Sequence, residues 1–167
     1  MEFCVFSAWP QWADGFGPGD RALRIENYRA RAAKMKKTFI KLIADIDKRY
    51  PDKVRILPTC DAMMAALELY FQGKLHGVKA LNRRDEGKSP AIWSDGGHLG
   101  VGMERLEGCV FYATLYKRSP ELIKAKLKFH NDDLDKIFRR IAWQAVVGNP
   151  LSDVRDNNKN GIGDSVE

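Results

Sequence analysis

An aspartate and a histidine stand three residues apart in Ser94-Asp95-Gly96-Gly97-His98. In a turn of that length a carboxylate can reach the imidazole Nδ1–H. The contact fixes the tautomer, leaves Nε2 able to take a proton, and stabilises the imidazolium that forms. The two glycines let the backbone bend tightly. Taken alone, the five residues are better explained as a turn aspartate beside a helix-leading histidine with no chemistry. A general base also needs something to activate, and two serines are candidates. Ser7 ends the apolar run Phe3-Cys4-Val5-Phe6, at the edge where parallel sheets place their sites, although a loop serine explains it better. Ser165 closes Gly163-Asp164-Ser165, but Asn157 to Asn160 precede it instead of an apolar strand. Trp9 and Trp12 are placed either to line a substrate cleft or to pack on the sheet edge.

The segment Asp156 to Glu167 carries oxygen side chains at loop positions 1, 3, 5, 9 and 12 (Asp156, Asn158, Asn160, Asp164, Glu167) and glycine at position 6. That is the spacing of a calcium loop, in which side-chain oxygens converge on the ion around a sharp turn. Asparagines at 158 and 160, the adjacent Lys159, glycine at position 8 and the lack of an exiting helix depart from the pattern. Few charged ligands predict weak calcium affinity. The polar composition alone favours a disordered tail.

These groups need elements to hold them. Phe3 to Phe6 reads as a buried strand. A helix is expected from Arg21 to Tyr50, with Tyr28, Ala32, Met35, Phe39, Leu42, Ile43 and Ile46 on one face at three- and four-residue steps. Val54-Arg55-Ile56-Leu57 is a second strand and Asp61 to Phe71 a second helix. Gly73 to Pro90 reads as a polar surface loop. Ile92-Trp93 leads into the Asp95–His98 turn, and a helix follows from Gly100 to Lys117. The last helix runs from about Asp132 to Val147, capped by Asn131 or Asp132 and stopped at Gly148-Asn149-Pro150. Strand alternating with helix is the rhythm of a parallel α/β sheet.

The chain has 167 residues, 44% of them hydrophobic, and a formal charge of +6. That suits one globular domain, with a mild bias towards acidic partners. The cationic residues from Arg29 to Lys41 fit a solvated helix face. Without stacking aromatics beside them they argue against nucleic-acid binding. Three cysteines, Cys4, Cys60 and Cys109, have no metal-ligand spacing and imply no disulfide framework. No apolar run is long enough to span a membrane. As the chain stands, the absence of a secretory signal predicts a cytoplasmic protein. A truncated N-terminus would reopen secreted and periplasmic locations.

Context adds to the Asp-x-x-His pair. Ser94 to Gly102, then Gly108-Cys109-Val110-Phe111-Tyr112-Ala113-Thr114-Leu115-Tyr116, then Arg118-Ser119-Pro120 resemble the last conserved block of the SGNH/GDSL hydrolases. Val54 to Pro58 with Asp61-Ala62-Met63 resemble the strand and helix before that block. Ile141 to Gln144 and Asn149 to Ser152 resemble the family's segments downstream of it. The resemblance implies the C-terminal half of that domain, an incomplete flavodoxin-like three-layer α/β sandwich over residues 1–152, with 153–167 as a polar tail. It further implies a Ser-His-Asp triad in which Asp95 orients and His98 is the base. The family's Gly-Asp-Ser nucleophile strand is not found, nor its oxyanion-hole glycine and asparagine. Ser7 falls where the oxyanion-hole strand would lie. Asn160-Gly161-Ile162-Gly163-Asp164 also resembles thrombospondin type 3 calcium repeats. Three readings are open. One is ester hydrolysis, of an acyl or carbohydrate ester, by a site completed by a missing N-terminal half or a partner chain. Another is a non-catalytic fragment or degenerate copy. The third is an accessory binding module with a weakly calcium-binding tail and no other cofactor.

Overall fold

The computed structural model describes residues 2–9, 21–50, 52–95, 97–124 and 131–167. Strand β1 (Glu2–Phe6) leads to helix α1 (Arg21–Asp47), strand β2 (Lys53–Leu57) and helix α2 (Thr59–Phe71). Strand β3 (Ala80–Asn82), the single-turn helix α3 (Arg83–Glu86), strand β4 (Ala91–Trp93), helix α4 (Met103–Tyr116) and helix α5 (Asp132–Gly148) follow. The strands form two parallel pairs, β1 with β2 and β3 with β4. Phe3 faces Val54 and Phe6 faces Leu57 in the first pair; Ala80 faces Ala91 in the second. The protein is therefore α/β, with its short parallel pairs packed against helices. Among the described residues no helix is long and apolar enough to cross a membrane.

The main core lies where α2, α4 and α5 close over β3 and β4. Leu67, Leu81, Ile92, Trp93, Val110, Phe138 and Val146 are among its fully buried side chains. The helices enter it through apolar residues at three- and four-residue steps: Met103, Leu106, Cys109, Val110 and Ala113 on α4, and Leu134, Phe138, Ile141, Ala142 and Val146 on α5. Trp93 is the largest fully buried side chain among the described residues. It stacks on Tyr28 of α1 at 6.4 Å and donates its indole N–H to the Tyr28 hydroxyl at 3.1 Å. A buried aromatic of this size is worth about 3–5 kcal/mol against truncation, so α1 is tied firmly to β4. Asn131 caps α5 by accepting the Leu134 N–H at 3.0 Å, one of the two capping residues expected.

Three expectations are corrected. Strand β1 forms but is not buried: Phe3 and Cys4 are exposed, and Val5 and Phe6 are only partly covered. The stretch from 73 to 90 is not a surface loop throughout, because Ala80, Leu81 and Asn82 are buried as β3. A three-residue strand between polar flanks is too short to show a period. Leu42 sits on the expected apolar face of α1 yet is exposed. The second half of α1 covers only the narrow cluster of Ile43, Val54 and Ile56, with Phe39 and Ile46 at its edge.

After β4 the chain doubles back on itself. Trp93 and Leu99 form an antiparallel bridge, and the Gly100 N–H donates to the Ile92 carbonyl at 2.8 Å. At Gly100 the backbones lie so close that a Cβ would stand 1.9 Å from the Ala91 carbonyl oxygen. No flexible side chain is there to yield. Gly100→Ala is expected to destabilise the fold by about 1–3 kcal/mol, the usual cost of overpacking, read as a lowered urea midpoint. A variant as stable as the parent would show that the returning strand is not pressed onto β4 in solution.

Candidate functional site

Where the chain doubles back, Ser94, Asp95 and Gly97 are partly exposed and His98 is exposed. The Ser94 N–H donates to the His98 carbonyl at 3.0 Å and closes the loop. Inside it the Asp95 carboxylate gathers the available donors. Its Oδ1 accepts the backbone N–H of Gly97 at 2.9 Å and that of His98 at 3.0 Å. The imidazole Nδ1 lies 2.9 Å from Oδ1 and 2.8 Å from Oδ2. The Gly97 N–H, then the His98 N–H, then the imidazole hold the Asp95 carboxyl down at about 2. The carboxylate selects the Nδ1–H tautomer, which directs the Nε2 lone pair outward. Among the described residues Nε2 has no hydrogen-bond partner, and the imidazole is 84% exposed.

Neighbouring elements steady the turn. Asn82, buried at the end of β3, donates its Nδ2 to the Asp95 carbonyl at 3.2 Å. Trp9, just beyond β1, donates its indole N–H to the Gly97 carbonyl at 3.2 Å. Its ring meets Phe6 edge-on at 5.2 Å and lies 6.5 Å from Trp93. Trp9 also lines a small apolar cleft with Thr59, Met63, Leu99 and Glu107. Burial, with Glu104 nearby, pushes the Glu107 carboxyl up. Trp12 lies outside the described residues.

The serine candidates are placed elsewhere. Ser7 is buried. Its hydroxyl donates to the Leu57 carbonyl at 2.7 Å and accepts the Cys60 N–H at 3.3 Å, tying β1 to the start of α2. Ser165 is exposed and accepts from Lys117 Nζ at 2.8 Å. Neither hydroxyl is hydrogen-bonded to His98. The structure thus brings together Asp95, His98 and Trp9. It adds Asn82 and Gly100, which the sequence reading passed over. Asn82 sat inside an assumed loop, and the demand on Gly100 arises only from the return against β4.

The C-terminal segment folds against the body. The Ser119 N–H donates to the Gly161 carbonyl, and the Gly163 N–H to that of Lys117, both at 2.7 Å. Asp156 accepts the N–H of Asn160 and of Gly161, each at 3.0 Å, and the Trp143 indole N–H at 3.1 Å. Asn158 and Asn160 both donate to Glu167 Oε1, at 2.8 and 2.5 Å. Asp164 turns aside and takes the Asn157 N–H at 3.0 Å. Four of the five expected ligand side chains therefore meet around one turn. Among the described residues no group of three or more histidine, cysteine, aspartate or glutamate side chains is arranged to hold a metal.

No family model, curated protein or solved structure matches the chain.

The carboxylate contacts set a pH signature. A depressed folded-state pKa adds stability above the unfolded value, near 3.9, and that stability is lost as pH falls through the folded value. For Asp95 the window therefore closes at about pH 2. Carboxyl ¹³C shifts of Asp95 should titrate near that value and stay flat from neutral pH down to the ordinary carboxylate range. A midpoint at the ordinary aspartate value would mean that the backbone donors do not reach the carboxylate in solution.

Proposed function

We propose that the Asp95–His98 turn is the base half of an SGNH-type ester-hydrolase site. The observation carrying this reading is the bond between the Asp95 carboxylate and His98 Nδ1, 2.8 Å long, on an outward-facing imidazole. In this reading Asp95 orients the ring and stabilises its protonated form. Nε2 takes the proton of an attacking hydroxyl and returns it to the leaving alcohol. The residues from Ser94 to Pro120 that resemble the family's last block support the assignment, as does the α/β setting with the turn directly after a buried parallel strand. The substrate class is an acyl or carbohydrate ester.

The nucleophile is the open part. Ser7 is committed to Leu57 and Ser165 to Lys117. A serine on a separate strand, from a longer polypeptide or a partner chain, would complete the site. Without it, and without oxyanion donors worth about 3–4 kcal/mol each, turnover by these residues is low. p-Nitrophenyl acetate hydrolysis should therefore be weak for this chain. It should rise by orders of magnitude when a serine-bearing segment is supplied. In that completed form His98→Ala should abolish it while leaving circular dichroism unchanged. Equal rates for parent and His98→Ala would remove histidine from the chemistry and favour the degenerate, non-catalytic reading.

The folded C-terminal loop favours a second, separate reading, weak calcium binding. Asp156 at position 1 already accepts the N–H groups of positions 5 and 6, and Asn158, Asn160 and Glu167 converge beside it. The Asn158 oxygen accepts the Asn160 N–H at 3.2 Å and the Asn160 oxygen the Ile162 N–H at 2.8 Å, so both amide oxygens are fixed within the same loop. A loop with so few charges suits affinities of about 10⁻⁴–10⁻³ M. Because the Trp143 indole touches Asp156, terbium bound in the loop should luminesce on tryptophan excitation, and calcium should quench that emission. Trp143→Phe should dim the signal and Asp156→Ala should remove it. No sensitised emission at millimolar terbium would end this reading.

A further inference from the structure

We propose that the groove between the start of β2 and the C-terminal loop binds an oxyanion, a phosphate or sulfate group. Lys53 and Arg55 lie two residues apart on β2 and so share one face of the strand. Both reach Asp153, Lys53 Nζ at 2.6 Å and Arg55 Nη2 at 3.2 Å from its Oδ2. Lys117 and Arg155 line the same groove, with Asn157, Asp164 and Ser165.

The charges in this groove do not balance. Its lining holds four cations (Lys53, Arg55, Lys117, Arg155) and two carboxylates (Asp153, Asp164), four minus two, an excess of two positive charges. The carboxylates are already used. Asp153 is gripped by Lys53 and Arg55, with Lys53 first in holding its carboxyl below the usual range. Asp164 is turned onto Asn157, accepting its backbone N–H at 3.0 Å and its Nδ2 at 2.5 Å. Lys117 Nζ bonds a neutral hydroxyl, that of Ser165 at 2.8 Å. Arg155 has no ion-pair partner among the described residues. A purely structural ion-pair network would pair its charges. Here an ammonium and a guanidinium converge on a concave, polar surface beside amide and hydroxyl donors. A planar guanidinium fork with an ammonium point charge matches the oxygens of phosphate or sulfate, and charge-assisted bonds to such groups are the strong ones. The groove shares no lining residue with the Asp95–His98 turn, so its ligand is bound independently of that chemistry.

The test uses the full chain with a chelator present, so that the neighbouring loop is metal-free, and sodium chloride to hold ionic strength constant. Inorganic phosphate, inorganic sulfate and phenyl phosphate are titrated separately, following amide shifts of Arg155, Asn157 and Ser165. Saturable shifts are expected at millimolar concentration. Tighter binding of phenyl phosphate would identify the ligand as an esterified group on a larger molecule, and equal binding would identify the free ion. Lys117→Ala and Arg155→Ala should each weaken binding about tenfold or more, the worth of one charge-assisted hydrogen bond. Shifts that never saturate, or that match those from chloride alone, would overturn the proposal. So would undiminished binding by both variants.

Discussion

One carboxylate organises the exposed end of this protein. Asp95 meets two backbone N–H groups and an imidazole N–H within a turn of a few residues. An aspartate commonly bonds the backbone two residues on, and that local bond is why it favours turns. Here the same oxygen also takes the next N–H, so the turn is closed before the histidine side chain is added. The ring then arrives in one orientation and one tautomer. The remaining supports serve that arrangement: Asn82 on the Asp95 carbonyl, Trp9 on the Gly97 carbonyl, and the Gly100 contact that sends the chain back along β4.

Rigidity below and exposure above have opposite chemical consequences. β3 and β4 are fully buried and Trp93 is locked between Tyr28 and the core, so the turn springs from a firm platform. The imidazole itself stands in water. Solvent weakens charge–charge attraction there several-fold relative to an enclosed site. The pair thus has the geometry of a base system without the low-dielectric enclosure that makes such systems powerful. The half-buried Trp9 edge and the cleft beside Glu107 supply only one apolar wall.

Much of this was legible in the residues. The long helices announced themselves by apolar spacing, and β2 by its Val-Arg-Ile-Leu run closed by a proline. Spacing and the two glycines allowed the Asp95–His98 contact, but on their own they favoured a plain turn; the resemblance of the surrounding block to a triad segment pointed to it. The features that escaped depended on partners distant in sequence. β3 is three residues long, and its burial comes from pairing with β4 and covering by helices, neither of which leaves a local period. The role of Asn82 depends on that strand, and the requirement for glycine at 100 depends on the backbone of Ala91. Ser7 looked like a strand-end loop serine. Its hydroxyl is instead spent on the Leu57 carbonyl and the first turn of α2.

The C-terminal segment shows how far composition can mislead. Its polar sequence has little apolar surface to bury, which argued for disorder. Order comes instead from satisfied backbone groups. The carbonyls of Lys117 and Gly161 and the N–H groups of Ser119 and Gly163 pair across the two segments, as strands would, through the Arg118–Ile162 bridge. Gly163 fits because a Cβ there would crowd Lys117 at 3.1 Å, and Gly161 because it adopts φ +82°. Val154 supplies the single deep apolar anchor, 2% exposed. Side-chain bonds add to the backbone pairing: Asp153 to Lys53 and Arg55, Asp156 to the Trp143 indole, and Ser165 to Lys117. The segment's acidic and amide side chains are themselves bonded, and Asp156 couples the loop to α5 through Trp143.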